Sequence, residues 1–599
     1  MFTRHFIPLI IVLLKCYLNA ADKDTEIFPL EDVERGMLGE WRTVIAGTKI
    51  ETFKLRVLGV QQNFAGPQRA VIICEALDDE NKLSGPVAGM SGSPVYIKKK
   101  LVGAYAYGFM MSKEQAIIGV TPIEQMLEVA ENYGPQELAI TPTKLNQHQA
   151  LGKKSDSTPT ISSNESRASL KLENIQQFLK PVPTPLFVSG FSPRTLKHFE
   201  EELAEMGMDL VHAPVSGTSS KGDNFDPPLV PGAPVAGVLM DGDFSMSGVG
   251  TITWRKGNRL LGFGHPFMQE GPVHIPMAGA EVLTVVRSVS RSFKLSNVGP
   301  IKGMIYQDRL TAIAGEIGRE APCTKVTINI HPENGPKRTL RSNLFCHKGR
   351  SPTFCAMALL ESINSSMDTE AEQSFEVTST LQIDGHDPLV YYDSGTGGAG
   401  VLKAAMGLRS AFREIVDNPF ETPMVREVNF DVRIRNQIDY SILKSVTLRT
   451  GNRPRGGDTV KVGLELARHK TDREVRIIEI PIPKGYSGER LVLFIGDADS
   501  AARQDVTTSP DITGLNDILN ELRLRRDNRR IFVKLLRRSN GLALQGASLP
   551  DLPASIQKIY SSDSRGDLKR SIRQTTVWET SIPVRGEFQG SYSYPLDIR

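Results

Sequence analysis

One serine is set among residues that suit acyl transfer. Ser91 stands in Gly89-Met-Ser-Gly-Ser-Pro94, between a polar stretch and a run rich in strand-forming residues. Small neighbours let a substrate backbone approach the hydroxyl, and glycine permits the positive φ that turns successive N–H groups into one concavity, an oxyanion hole. The donors would be the amides of Gly89 and Ser91. A serine nucleophile needs a base. Of the ten histidines, most sit in polar or helical surroundings. His265 ends the apolar run Leu260-Leu-Gly-Phe-Gly-His-Pro-Phe267, in a Gly-His-Pro turn whose default role is structural. No Cys/His spacing predicts a metal site, and no cofactor is expected. Gly395-Thr-Gly-Gly-Ala-Gly400 lacks the Gly-Lys-Ser/Thr of a phosphate loop and reads as a flexible loop.

Such groups need a rigid frame, and the flanking patterns supply β-structure. Residues 36–130 read as a compact β unit closed by a helix. Thr52-Phe-Lys-Leu-Arg-Val-Leu alternates at period two, and Ala70-Val-Ile-Ile-Cys-Glu-Ala is a buried strand. Ser93-Pro-Val-Tyr-Ile and Leu101-Val-Gly-Ala-Tyr-Ala-Tyr flank Lys98-Lys-Lys100, and Gly119-Val-Thr-Pro-Ile leads into a helix. Residues 145–170, polar and without apolar period, read as a linker or exposed loop. A helix is expected from about Arg194 to Met206. Residues 235–385 return to short strands, including a hairpin around Lys256-Gly-Asn258; 399–416 read as a helix. Residues 425–495 alternate like a sandwich, and the tail holds a helix with Ile512, Leu515, Ile518, Leu519 and Leu522 on one face. There is no internal repeat.

The order Gly-Met-Ser-Gly-Ser-Pro, Leu-Val-Gly strand, Gly-Val strand, helix resembles the second barrel of chymotrypsin-like peptidases. Gly-Met-Ser-Gly-Ser-Pro itself resembles the nucleophile turn of the SpoIVB peptidase family, best known from spore-forming bacteria, over about Val57 to Leu127. That family carries its base in a Gly-His turn after a Gly-Thr-x-Thr strand and a charged hairpin. Gly250-Thr-Ile-Thr-Trp, Lys256-Gly-Asn258 and Gly264-His265 match that layout, so the resemblance implies His265 as base. The order is reversed here, with Ser91 about 170 residues before His265. Barrel halves in swapped order leave the cleft between them intact, because geometry sets a triad. For the third group, Asp308, 43 residues after His265, suits a chymotrypsin-like arrangement. The sporulation peptidase's aspartate just before its serine would correspond instead to Asp78 or Asp79.

The fold expected is mainly β: a chymotrypsin-like double β-barrel with permuted halves, a C-terminal β-sandwich-like domain and a small α/β tail. Expected boundaries are a signal peptide at 1–21, the serine-bearing barrel half at 36–135, linker and helical insertion at 136–232, and the histidine-bearing half at 233–385. A helical connection at 386–420, the sandwich at 421–505 and the tail at 506–599 follow. The length, 599 residues, accommodates about three to five domains. A net charge of +3 from 71 Lys+Arg against 68 Asp+Glu argues against a nucleic-acid-binding polycation. The basic run Arg523 to Arg538 is read as a solvated face. Phe6 to Leu14 is an apolar run too short to span a bilayer, which takes about 20 residues. With Asn19-Ala20-Ala21 after it, the run reads as an export signal, so a periplasmic, cell-envelope or secreted location is expected, with no transmembrane segment in the mature chain. Cys323 and Cys346 flank the turn signal Pro332-Glu-Asn-Gly-Pro336, as opposed strand residues near enough for a disulfide or as two free thiols. The expected activity is that of an exported serine endopeptidase acting on protein or peptide substrates by an acyl-enzyme route. The alternative is a catalytically inactive envelope scaffold that binds a partner.

Overall fold

The computed structural model describes residues 25–599 except 79–83, 110–115, 135–178, 213–224, 289–290, 346–347, 368–371, 452, 471–472, 506–511, 545–546, 554, 557 and 559–568. The expected export signal, the polar stretch 145–170, Asp79 and Cys346 therefore lie outside the described residues. The chain divides into two compact units: residues up to 323 with 342–345, and 324–341 with 348 onward.

The first unit is built on two closed rings of antiparallel strands. The serine-bearing ring uses β1 (Leu38–Val44), β2 (Ile50–Gly66), β3 (Arg69–Ala76), β5 (Ser93–Ile97), β6 (Lys100–Phe109) and β7 (Ile117–Pro122), with a short β4 (Val87–Ala88) ahead of β5. Pairing runs β5-β1-β2-β3-β7-β6, and β6 returns to β5 to close the ring. Alternation in β2 places Phe53, Leu55 and Val57 inside with Trp41, Ile72, Val95 and Tyr105. β8 (Leu179–Pro181), β9 (Thr184–Ser189) and β10 (Met208–His212) follow. The expected helix after Ser192 forms as two short pieces, Pro193–His198 and Glu200–Ala204, broken at buried Phe199, whose φ of −120° leaves the helical region.

The second ring uses β11 (Pro234–Gly242), β12 (Ser245–Lys256), β13 (Arg259–Gly262), β14 (Gly271–Val286), β15 (Ser292–Arg309) and β16 (Ala312–Ile317). It closes as β12-β13-β16-β15-β14-β11-β12. The rings share a cluster in which Leu101 and Ala104 of β6 and Ile123 and Met126 of the helix Ile123–Asn132 meet Leu261, Met304, Tyr306 and Ala314. Each large aliphatic buried there contributes about 1.5–3 kcal/mol.

The second unit holds a mixed sheet, two helices and a sandwich of two further sheets. β17 (Thr324–Pro332), β19 (Ser374–Ile383), β20 (Leu389–Thr396) and β21 (Val425–Arg435) belong to it, and β18 (Arg338–Leu344) begins in it and ends among the residues of the first unit. β21 lies between β17 and β19, and β19 pairs with β20. The helices Ser351–Asn364 and Gly397–Val416 belong to this unit. Gly395 to Gly400, expected as a loop, instead ends β20 and starts the second of these helices. β22 (Tyr440–Leu448), β23 (Thr459–Arg468), β24 (Glu474–Pro481), β25 (Arg490–Gly496), β26 (Arg530–Leu544), β27 (Ala547–Leu549), β28 (Lys569–Pro583), β29 (Glu587–Gln589) and β30 (Ser591–Asp597) form two sheets. Val462, Leu464, Leu493, Ile495, Val533 and Leu535 fill the core between them. The sandwich thus takes strands from the expected tail, whereas Val425–Arg435, which alternates like its strands, pairs elsewhere. Alternation fixes which face is buried, not which strand is the neighbour. The basic run is charge-matched: Arg525 meets Glu414, Arg526 and Lys534 meet Asp505 and Glu579, and Arg537 meets Asp551. No helix among the described residues is long and apolar enough to cross a membrane.

Candidate active site

The Ser91 turn is folded by its glycines. Gly89 and Gly92 have φ of +91° and +94°, values that side chains disfavour. The amides of Met90, Gly92 and Ser93 donate to the carbonyls of Val87, Tyr105 and Met90. The two amides expected to form an oxyanion hole, those of Gly89 and Ser91, are not among these three.

The other ring grips this turn from outside. Thr251 Oγ1 donates to the Gly89 carbonyl (3.0 Å), Thr253 Oγ1 to the Gly92 carbonyl (2.7 Å), and the Thr251 amide to the Ser91 carbonyl (2.8 Å). Those threonines are the ones in Gly250-Thr-Ile-Thr-Trp, so that motif positions the serine as well as preceding the histidine. Contact is close enough that a Cβ on Gly92 would lie 2.0 Å from the Thr251 carbonyl oxygen and 2.4 Å from the Phe263 nitrogen. Beneath Thr251, the buried Lys294 donates from Nζ to Thr43 Oγ1 (2.6 Å) and Thr251 Oγ1 (3.4 Å). Burial pushes the Lys294 ammonium down to about 7.

The His265 loop is held differently. Phe263 and Gly264 are consecutive left-handed residues, φ +66° and +71°, and the Gly264 amide donates to the Gly262 carbonyl (2.8 Å) in a tight three-residue turn. Phe263 and Phe267, at 80° to each other, sit in notches in β12. A Cβ on Gly250 would come within 2.2 Å of the Phe263 ring, and one on Gly248 within 2.2 Å of the Phe267 ring. Gly264 rests on the methyls of Ala104 and Ala106, and Thr121 Oγ1 donates to its carbonyl (2.6 Å).

Asp308 is buried and lies in the histidine's ring, but it reaches the loop rather than the imidazole. Its carboxylate accepts from the amides of Phe267 (2.7 Å), Met268 (2.6 Å) and Glu270 (3.4 Å). Burial pushes its carboxyl up, opposed by those amides. The imidazole Nδ1 lies 2.7 Å from the Pro266 carbonyl. A carbonyl only accepts, so Nδ1 carries the proton and Nε2 is the free base. Nε2 and Ser91 Oγ are both buried, and neither has a hydrogen-bond partner among the described residues. They are therefore not bonded to each other, and neither aspartate holds the ring in this structure. Burial pushes the imidazole down to about 4, against the Pro266 and Val182 carbonyls, which favour its charged form. Asp78 follows β3, where its charge bears on the buried Tyr105 hydroxyl. The Ser91 turn and the His265 loop are thus neighbours through the close packing of Gly92 on Phe263, and Asp308 supports the second. Pro266, Thr251 and Thr253 were not anticipated as participants.

The chain matches the family described as SpoIVB peptidase S55 over residues 15–127. No curated protein and no solved structure matches it. The matched segment contains the whole Ser91 turn, while His265 lies beyond it. The serine-bearing segment of this chain is thus similar to that of the SpoIVB peptidases.

Proposed function

We propose that this chain is an exported serine endopeptidase that cuts one or a few protein substrates through an acyl-enzyme. The observation that carries the reading is a pair of buried atoms without hydrogen-bond partners among the described residues, Ser91 Oγ and His265 Nε2, on turns that pack together at Gly92 and Phe263. Other buried atoms, Trp41 Nε1 and Tyr105 Oη among them, also lack partners among the described residues; this pair stands apart because one is a hydroxyl nucleophile and the other a free imidazole base. Ser91 Oγ attacks the scissile carbonyl as Nε2 takes its proton, and the amides of Gly89 and Ser91 stabilise the oxyanion. Nε2 then protonates the leaving amine, and water admitted to the site is deprotonated by the same atom to release the acyl group. The Pro266 carbonyl fixes the tautomer. Asp308 acts as a positioning residue, through the loop amides rather than through the ring. Export rests on the Phe6–Leu14 run and the small residues after it, and would place the activity in a bacterial envelope or outside the cell.

A fluorophosphonate probe tests the assignment. The label should appear on the tryptic peptide containing Ser91 and be lost in Ser91→Ala, with both proteins unfolding at the same temperature. Label on another residue, or none on folded protein, would leave the non-catalytic scaffold.

A further inference from the structure

The segment that joins the two rings lies across the catalytic turns. β8 runs antiparallel along β6, pairing Leu179 with Phe109, Lys180 with Gly108 and Pro181 with Tyr107. The next amide, that of Val182, donates to the Ala106 carbonyl (2.8 Å). Beyond it the chain passes over the serine turn: Pro185 Cγ lies 3.5 Å from the Cβ position of Gly89, and Thr184 Cγ2 lies 3.1 Å from that of Gly248. β9 then joins β12. Val182 is fully buried with Val87, Met90 and Tyr105, and its Cγ2 lies 3.5 Å from the Cβ position of Gly108 beside Pro86. The Val182 carbonyl bears on the His265 imidazole.

An exposed strand edge beside a catalytic pair binds extended peptides by adding a strand. β6 has such an edge. β5 pairs with it only over Lys100–Tyr105, and β7 covers its other side. The edge from Ala106 to Phe109 is the one β8 occupies. We infer that Leu179–Pro185 is an autoinhibitory strap seated where an extended peptide substrate binds, with Val182 in the place of the residue whose carbonyl is attacked. The inference rests on the peptidase reading for the word substrate, but not for the seating itself. It makes the apolar site around Pro86, Met90 and Gly108 the selector for a small β-branched side chain. It also accounts for two catalytic atoms closed off from water. Pro183 follows Val182 directly, so the bond at that carbonyl is a tertiary amide, and the strap lies in the groove uncut.

The test uses the full chain with Val182→Asp, which puts a charge in the apolar site, and Val182→Gly, which removes only the side chain. The first readout is the rate of Ser91 labelling by fluorophosphonate. The second is binding of a fluorescent acetyl-Leu-Lys-Pro-Val peptide in a Ser91→Ala background, which needs no catalysis. Unseating should speed labelling by about tenfold or more, and the peptide should bind about tenfold more tightly than to the parent, since it no longer competes with a tethered strand. Peptide binding no tighter in either folded variant would overturn the strap as a substrate mimic, whatever the labelling shows. A gain in peptide binding with no labelling in any variant would support the strap and overturn the peptidase reading.

Discussion

The serine turn and the histidine loop belong to rings of the same construction, yet they are anchored in opposite ways. The serine turn is held by its carbonyls, from the other ring, through Thr251 and Thr253. The histidine loop is held mainly by its amides, from within its own ring, through Asp308. From the serine ring, Thr121 donates a hydrogen bond to it at the Gly264 carbonyl, beside the methyls of Ala104 and Ala106. The histidine ring therefore anchors both turns, while the serine ring contributes to the histidine loop at Gly264.

The largest break should come from Asp308→Ala, which leaves three buried or half-buried amides without their acceptor. Urea unfolding should show a loss on the order of 4 kcal/mol, and Ser91 labelling should fall with it. A loss below about 1 kcal/mol would mean that the loop stands without its anchor. Next is pH. With His265 at about 4 in the fold and about 6.5 unfolded, the unfolded chain binds more protons between those values. Stability should therefore fall as pH drops from about 6.5 to 4, by on the order of 3 kcal/mol, and His265→Gln should flatten that slope. The smallest effect belongs to Thr251→Val, which removes one hydroxyl bond to the serine turn. It should cost about 1–2 kcal/mol and slow labelling without altering the slope below pH 6.5. An altered slope would mean that the two anchors are not separate.

Both turns were legible in the sequence because glycine marks them: positive φ at Gly89 and Gly92, and notches at Gly248 and Gly250 that admit Phe267 and Phe263, leave few other residues acceptable. The β-rich architecture was legible from period-two alternation for the same local reason. The partner of each carboxylate was not, because Asp308 lies 41 residues from Phe267 and spacing alone cannot separate a bond to the ring from bonds to its loop. Val182 was invisible as well, since Leu-Lys-Pro-Val-Pro carries no period and its meaning comes from the edge it covers. The sandwich was found but misassembled, β21 being exchanged for strands near the C-terminus, because registry between distant strands is set by tertiary packing.

The central claim is that His265 activates Ser91, and the rate of Ser91 labelling in His265→Gln against wild type measures it directly. Labelling should slow by about 100-fold or more at neutral pH in a protein that remains folded. An unchanged rate would contradict it.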